Sequence, residues 1–505
     1  MENAEKLATL RQIITENLRV QRDAASIDYV NVGTAFSDAR AKQNHTIFAR
    51  RGCGKTLLLH HSARSLPEEI RSIYLNCEYF KRHTFPNVLI EILTSIFREV
   101  ESNLAGWFGK KKRSRELVQD ILRRLAALQK SADVQSEDVK RTSSAEDTAS
   151  LGAGIAAGAR GVHVKADGSI SNKRREEIER TFKLHKVKLQ ELDRWLPELK
   201  AQIREFFNLS STVKAIFLQI DDLYHLRRTD QAFVVDYIHR LCKDLPIYFK
   251  IATLRHASTL YADRDGQPIG AQERHDYQPI NIDYTFNDFP KTERQNWEIL
   301  KQFGARADMT EEEVKTLFKG QGFSRLVMAG GGVPRDVLSL FLEALSTVQA
   351  QGGDRIGKDE VRILSLANFE RRIEELKQDS QDDEQDNLLR GIYILREFCF
   401  EKETNLFVVQ ERMLQQNDGW RTLFNRLMDY RIIHNCANAL THKSQPGTYQ
   451  AFAIDIGCYA HFRKLVGRFN EIDVSDSGAK EKMRSAPVLE ASRLTALFDT
   501  APADI

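Results

Sequence analysis

A chain of 505 residues is too long for one ordinary hydrophobic core, so two or three domains are expected. Its 42% hydrophobic and 29% charged residues are typical of a globular protein, and its net charge of +3 says little about partners. No apolar run reaches the roughly 18 residues of a membrane span, and the first residues lack the pattern of a signal peptide, so we expect a cytoplasmic protein without membrane contact. The six scattered cysteines form no CxxC pair and argue against a disulfide framework or a zinc site.

The first hundred residues predict the beginning of a parallel α/β sheet. Residues 1–20 suit an amphipathic helix, and 45–49 indicate a short strand that is followed by a loop and a helix. A second strand at 71–80 and a helix after Pro86 come next. The order strand, loop, helix, strand, helix is typical of proteins whose parallel sheet is covered by helices.

Residues 101–212 interrupt this order. Two charged helical stretches flank a polar, Gly/Ala-rich segment, and "GKKKRSR" at the start of the first is the densest basic cluster. We expect an insertion that projects from the core as a helical arm and offers a surface to a protein partner. The alternative is a solvated spacer without a partner.

The sheet pattern resumes after the insertion. Strands are expected at 213–226, 247–256 and 278–284, with a helix at 231–243, and residues 290–375 are expected to be helical. We divide the chain into a first part of the core (1–100), the insertion (101–212), a second part of the core (213–288), a helical lid (289–380), a winged helix (381–470) and a flexible tail (471–505).

The winged helix is predicted from three helices and a hairpin. The helices are expected at 387–400, 405–416 and 419–433, and the hairpin turns at Pro446 and Gly447. A winged helix normally places its third helix in the major groove of DNA. Here Arg421, Arg426 and Arg431 of that helix do not share one face, so these residues give only weak support for DNA binding.

A phosphate-binding loop lies in "IFARRGCGKTLLLH", residues 47–60. Gly52 and Gly54 allow the turn, Lys55 reaches the outer phosphates, and Thr56 supplies a hydroxyl for Mg²⁺. Ala49 stands where the motif has its first glycine, but that position only ends the strand. We therefore predict that ATP is bound, with Mg²⁺, by the run Arg51, Gly52, Cys53, Gly54, Lys55, Thr56 and Leu57.

Two aspartates end the buried strand "AIFLQIDD" at its carboxyl end, where the ligands of parallel sheets bind. We assign Asp221, with Thr56, to the Mg²⁺ shell, and Asp222 to orienting or deprotonating the attacking water. Aspartate reaches less far than the glutamate common at the second position, so hydrolysis is expected to be slow. The alternative is that both aspartates only cap the next helix.

Two further residues are assigned to catalysis. Thr253, at the end of a strand, is placed to sense the γ-phosphate, unless it is merely a polar strand end. Arg335 in "GGGVPRDV" begins a helix behind three glycines, from which its guanidinium can reach the nucleotide phosphates. An ordinary helix-start arginine is the alternative.

Taken together, these pieces resemble the AAA+ ATPases of the origin-recognition and archaeal initiator group. The resemblance covers roughly residues 30–100 and 213–470, and it lies in "RRGCGKTLLL", "IYLNC", "QIDDLYHL", "VPRDVL" and the winged helix. It implies Lys55 and Thr56 as Walker A residues, Asp221 and Asp222 as Walker B, Thr253 as sensor 1, and Arg335 as sensor 2. The Asp-Asp pair and the missing sensor-1 asparagine are instead similar to STAND-type signalling NTPases.

The sequence thus predicts an α/β protein: a P-loop NTPase (AAA+) core with a parallel sheet, a helical lid, a long helical insertion and a C-terminal winged helix. We expect an ATP hydrolase that acts as a slow nucleotide-dependent switch and binds double-stranded DNA or a protein partner on DNA. The resemblance leaves open a STAND-type signalling or antiviral-defence NTPase, whose winged helix and insertion bind protein. A homo-oligomer is compatible with both.

Overall fold

A computed structural model describes residues 2–18, 28–31, 33–108, 112–130, 186–264, 267–379, 382–460, 469–476 and 478–494. Its centre is a parallel sheet of five strands in the order β2-β3-β4-β1-β7. The strands are β1 (His45–Phe48), β2 (Ile70–Asn76), β3 (Ala215–Asp221), β4 (Ile247–Thr253) and β7 (Gln278–Asn281). The fifth strand, predicted at 278–284, is therefore present, and it pairs with β1.

Five helices and a hairpin complete the described part of the core. They are α2 (Ala35–Ala39), α3 (Lys55–Arg64), α4 (Asn87–Ser102), α5 (Leu104–Phe108), α8 (Arg228–Cys242), and the hairpin of β5 (Tyr261–Arg264) and β6 (Gln267–Gly270). Every residue of β3 is buried, which explains its continuous apolar run, because helices cover both faces of a parallel sheet.

The insertion packs on the core in its described part, so the prediction of a projecting arm is wrong there. Its helices are α6, described over 112–130, and α7 (Lys186–Leu209). Apolar residues at three- and four-residue spacing, such as Leu117, Ile121, Trp195 and Leu199, are buried in the same cluster as the sheet. The predicted Gly/Ala-rich segment at 150–171 lies outside the described residues.

The lid contains five helices and also packs against the first helix of the chain. The lid helices are α9 (Phe289–Arg306), α10 (Glu311–Thr316), α11 (Gly322–Ala329), α12 (Pro334–Ala350) and α13 (Lys358–Asp379). Helix α1 (Glu2–Asn17) buries Leu10 and Ile14 in the lid core, and Lys6 pairs with Glu313 at 2.9 Å. The first helix thus joins the lid rather than the sheet.

The third unit has the order helix, strand, helix, helix, hairpin. Its elements are α14 (Asp382–Glu401), β8 (Leu406–Gln410), α15 (Glu411–Gln416), α16 (Asp418–Asp429), β9 (Ile433–Thr441) and β10 (Thr448–Ile454). The predicted helix at 405–416 is wrong in its first half, because "LFVVQ" pairs with β10 as strand β8. These elements form a sheet in the order β8-β10-β9 beside three helices, and we keep the predicted name winged helix for this unit.

One continuous cluster of buried side chains joins the lid to the winged helix. The predicted flexible tail also belongs to it over its described part: Ile472, Leu489 and Leu494 are buried there, and α17 (Ala479–Met483) buries Met483. Leu489 N donates to Val408 O at 2.9 Å, so this segment is packed and not free. Among the described residues, no helix combines the length and the apolar character needed to cross a bilayer.

Candidate nucleotide site

The loop between β1 and α3 has the backbone shape of a phosphate-binding loop. Gly52 has φ +86° and Gly54 has φ +89°, and Gly54 stands directly before the first helical residue, Lys55. L side chains rarely adopt this left-handed conformation, which explains the glycine at both positions. The helix start therefore opens onto the loop with its positive end, which favours an anionic ligand.

The lid closes directly over Gly52. A Cβ atom added at Gly52 would lie 2.9 Å from the Cβ of Arg335 and 2.9 Å from the Cγ1 of Val333. The backbone N of Arg335 also donates to the carbonyl of Gly52 at 3.3 Å. The first turn of α12 and the loop thus form one packed unit, and this unit holds two of the residues predicted to bind nucleotide.

Replacing Gly52 with alanine is expected to lower ATP affinity by about 10-fold or more, because the methyl group adds backbone strain and pushes the lid off the loop. The control is Gly352→Ala, where φ is +72° but no atom lies within 4 Å of the added Cβ. The strain is similar there and the clash is missing, so ATP affinity should not change. Isothermal titration of both variants with ATP distinguishes the two effects, and equal affinities would contradict the packing role of Gly52.

The Lys55 ammonium group lies inside the loop. Its Nζ donates to the carbonyls of Ala49 at 3.0 Å and Arg50 at 3.2 Å. Burial lowers the pKa of Lys55, and the nearby carboxylate of Asp222 acts in the opposite direction. A phosphate at the loop would supply this amine with charged oxygen acceptors in place of the two carbonyls.

The acid at the end of β3 meets the first turn of α3. Thr56 Oγ1 donates to Asp221 Oδ2 at 2.6 Å, and Tyr74 OH donates to the same oxygen at 2.8 Å. Burial, and then the charge of Asp222, raise the pKa of Asp221 to about 6. A hydroxyl and a carboxylate in contact are oxygen donors of the kind that Mg²⁺ binds, so the residues present fit this ion.

Asp222 lies at the mouth of the site. Its φ of +53° is left-handed, and its N–H donates to Asp221 Oδ1 at 2.9 Å. The ring of the nearby Tyr224 faces the Arg51 guanidinium at 4.9 Å and Lys55 Nζ at 5.8 Å. Asp222 is therefore turned away from the strand direction and lies in the same charged neighbourhood as the loop.

The sequence analysis missed an ion pair that anchors the start of the loop. Arg50 Nε and Nη2 both donate to the carboxylate of Asp283 at 2.8 Å, and Arg50 N donates to Asp283 Oδ2 at 3.0 Å. Asp283 follows β7, and its carboxylate also accepts from Cys53 Sγ at 3.6 Å. The signal that would have revealed it is an acid just after the fifth strand, since the carboxyl ends of parallel strands share one edge.

The remaining predicted residues fall at different places around the loop. Arg335 lies against Gly52, whereas the Thr253 hydroxyl bonds to the Ser258 hydroxyl at 2.5 Å and is fully buried. Leu57 lies in the first turn of α3 and Cys53 is buried within the loop, where burial raises the pKa of its thiol. The structure thus places the predicted residues around the loop. Thr253 differs from the others because its hydroxyl is bonded to Ser258.

The winged helix also reaches the loop. Arg431 is buried, with φ +61°, and its Nη1 donates to the carbonyl of Arg51 at 3.5 Å. The same guanidinium lies 3.2 Å from the carboxylate of Asp336, the residue after Arg335. Beside this contact, a cavity of about 130 Å³ separates the strand ends of the core from the winged helix.

The strand order, the loop after β1, the acid pair after β3 and the lid arginine define the fold of a P-loop NTPase of the AAA+ type. The solved structures similar to this chain include the Aeropyrum pernix ORC2 protein, with ADPNP and ADP, at 13% identity over 92% of this chain and 98% of that chain, TM-score 0.37. They also include Drosophila ORC bound to DNA, at 13% identity, 89% and 91% coverage and TM-score 0.34. A third is the Aeropyrum pernix ORC1 protein in complex with DNA, at 12% identity, 94% and 95% coverage and TM-score 0.34.

No family model and no curated protein matches the sequence. At TM-scores of this size, the similarity to the three solved structures says nothing about the ligand of this chain. The assignment of the fold rests on the strand order and on the loop, acids and lid described above.

Proposed function

We propose that this chain binds ATP with Mg²⁺ at the loop, hydrolyses ATP slowly, and uses the nucleotide to set the position of the lid and winged helix. One observation carries the proposal: adjacent residues of α12 face the loop and the winged helix. Arg335 contacts Gly52, and Asp336 lies 3.2 Å from Arg431 of the winged helix. A phosphate that binds the Arg335 guanidinium would therefore act on the winged helix through the neighbouring contact of Asp336 with Arg431.

Each residue of the site has a separate role. Lys55 and the N–H groups of the loop bind phosphate, and Arg335 neutralises charge from the lid side. Thr56 and Asp221 would hold Mg²⁺, which supplies positive charge to the transferred phosphate. Asp222 orients the attacking water, and its short side chain limits the rate, so the protein works as a switch rather than a motor.

The target of the switch is DNA or a protein bound to DNA. This part of the proposal rests on the initiator-like order of the motifs and on the winged-helix arrangement. The second candidate is a signalling or defence NTPase in which the winged helix restrains the loop. The contact from Arg431 to the Arg51 carbonyl and the Asp-Asp pair favour that candidate.

An Asp222→Asn variant is expected to bind ATP as the wild type does and to hydrolyse it about 100-fold more slowly, because an amide cannot act as a base toward water. Phosphate release and ATP titration measure the two effects separately. Asp354→Asn is the matched control, since Asp354 is an exposed acid of the lid far from the loop. Unchanged hydrolysis in Asp222→Asn would contradict the role given to Asp222.

The same variant separates the two candidate functions. Light scattering after size exclusion, with ATP and with or without duplex DNA, reports assembly while hydrolysis is blocked. ATP-dependent binding of DNA supports the switch on DNA. ATP-dependent oligomers that form equally with and without DNA support the signalling NTPase. A chain that binds no ATP contradicts both candidate functions.

A further inference from the structure

The arginines of the predicted third helix, and Lys443 on the wing, pair with acidic residues of the protein itself. Each arginine of the predicted third helix has an acidic partner: Arg421 with Asp418, Arg426 with Glu384, and Arg431 with Asp336 and Glu375. On the wing, Lys443 pairs with Glu481 at 2.8 Å. Binding DNA here would require breaking these ion pairs, so a basic surface elsewhere is the better place to look for a polyanion.

The insertion carries the positive charge of the chain. Residues 101–212 hold 22 Lys/Arg and 16 Asp/Glu, a net +6, whereas the whole chain has a net +3. The rest of the protein is therefore slightly acidic. A polyanion that approaches the protein is attracted to the insertion before any other part.

A basic groove lies where the insertion packs on the core, and we call it the α7–α8 groove. It has a volume of about 400 Å³, and its lining residues are Leu196, Pro197, Lys200, Arg204, Arg240 and Lys243. Four of these six are basic, and the other two give it an apolar floor. Arg204 lies eight positions after Leu196, which corresponds to about 12 Å along a helix and leaves room for a few backbone phosphates.

Two of the four cations are free to bind an anion. Arg240 is held by Asp193 at 2.9 Å and Asp236 at 2.7 Å, and Lys200 pairs with Asp244 at 3.6 Å. Arg204 and Lys243 are both exposed, and neither forms an ion pair with any residue that the structure describes. Arg204 and Lys243 are therefore the lining cations that an anion can reach without displacing a carboxylate.

We propose that the α7–α8 groove binds the sugar–phosphate backbone of nucleic acid, with Arg204 and Lys243 as the phosphate contacts. The guanidinium of Arg204 can pair with phosphate through two parallel N–H groups, and the ammonium of Lys243 acts as a point charge. Contacts of this kind are independent of base sequence and weaken with salt. This inference rests on the proposed function, for which it supplies the DNA-binding surface.

The test is a double charge reversal, Arg204→Glu with Lys243→Glu, in the full chain. Fluorescence anisotropy with a labelled 30-base-pair duplex and with the single strand, from about 50 to 200 mM salt, gives affinity and its salt dependence. We expect the affinity to fall about 10-fold or more and the slope of log K against log salt to become less negative by about 2. Thermal unfolding should be unchanged, because both side chains are exposed.

Two further variants complete the experiment. Arg294→Glu with Lys358→Glu makes the same change of net charge on exposed lid residues, and Arg421→Glu with Lys443→Glu reverses charge on the winged helix. Both should bind the duplex nearly as well as the wild type. Loss of binding in the winged-helix variant but not in the groove variant would overturn the inference, and so would an equal loss in the groove variant and the lid control.

Repeating the DNA titrations with ATP, and with polyglutamate in place of DNA, distinguishes the remaining hypotheses. If only the groove variant loses DNA affinity and ATP changes the DNA affinity of no variant, the inference about the groove is supported. The proposed nucleotide-dependent switch is then contradicted. If ATP binding is normal and the groove variant binds DNA as the wild type does, the inference about the groove is contradicted. The proposed nucleotide-dependent switch is not affected by that result. Binding of polyglutamate in place of either nucleic acid would assign the groove to an acidic protein and overturn the inference.

Discussion

A Lys55→Met variant is expected to lose about 100-fold or more in ATP affinity. Charge-assisted hydrogen bonds contribute about 1.5–3 kcal/mol each, so losing the contacts of one ammonium group to phosphate oxygens accounts for the loss in affinity. The unfolding free energy should fall as well, by about 1–3 kcal/mol, because removing the buried ammonium group leaves the carbonyls of Ala49 and Arg50 unpaired. Methionine keeps the aliphatic packing and removes this buried charge.

The matched control is Lys250→Met at the opposite end of the sheet. Lys250 Nζ is also buried, and it donates to the carbonyls of Ala41 at 2.7 Å and Gln43 at 2.8 Å, and to His45 at 2.9 Å. Removing it leaves these acceptors unpaired and should cost about 1–3 kcal/mol without lowering ATP affinity. Calorimetric titration with ATP should show the loss of affinity in Lys55→Met alone, whereas urea unfolding should show a similar loss of stability in both variants. Normal ATP binding by Lys55→Met would exclude the loop as the site.

The geometry of the candidate site was predictable because its signals are local. Glycines at fixed spacing before Lys55 and Thr56 dictate a turn, and an apolar run ending in Asp221 dictates a buried strand with an acid at its end. The parallel register then brings the two together, since β3 and β1 both point to one edge of the sheet. Nothing outside these short segments was needed to place Thr56 next to Asp221.

The partners that tune the site could not be predicted in the same way. Tyr74, on the edge strand β2, bonds to Asp221. Asp283 follows β7 at the opposite edge of the sheet and bonds to Arg50, so both contacts depend on the strand order. Tyr74 looks like any aromatic residue of a strand. Only the packed sheet shows that its hydroxyl bonds to the predicted metal ligand.

Errors in the fold arose where tertiary packing overrides local pattern. Leu406–Gln410 reads as a helix beside α15, yet it becomes a strand because β10 offers it a pairing edge. The segment after residue 471 looks too polar to fold, but its few apolar side chains fill the core shared by the lid and winged helix. The insertion was expected to project because its two helical stretches are rich in charged residues, although the apolar side chains of their described parts are buried against the core.

An Asp455→Ala variant is expected to lose about 3 kcal/mol of unfolding free energy, because it removes the nearer counter-ion of a buried arginine and leaves it only Asp336, at 3.7 Å. Asp455 accepts from Arg372 Nη1 at 2.5 Å and from His434 Nε2 at 3.0 Å, and both Asp455 and Arg372 are 1% exposed. Burial lowers the pKa of His434 to about 4, so this ring is neutral at pH 7 and donates an N–H. Only Arg372 then carries the positive charge that Asp455 balances.

The consequence extends beyond stability, since Arg372 also donates to the carbonyl of Ala329 in the lid at 2.8 Å and to that of Arg431 at 3.0 Å. Loss of Asp455 should therefore loosen the winged helix from the lid, which hydrogen exchange of β9 and β10 would detect as faster exchange. Asp418→Ala, which removes the exposed partner of Arg421, is the control and should cost less than about 1 kcal/mol. Equal unfolding midpoints in urea for the two variants would show that the buried ion pair does not hold the lid and winged helix together.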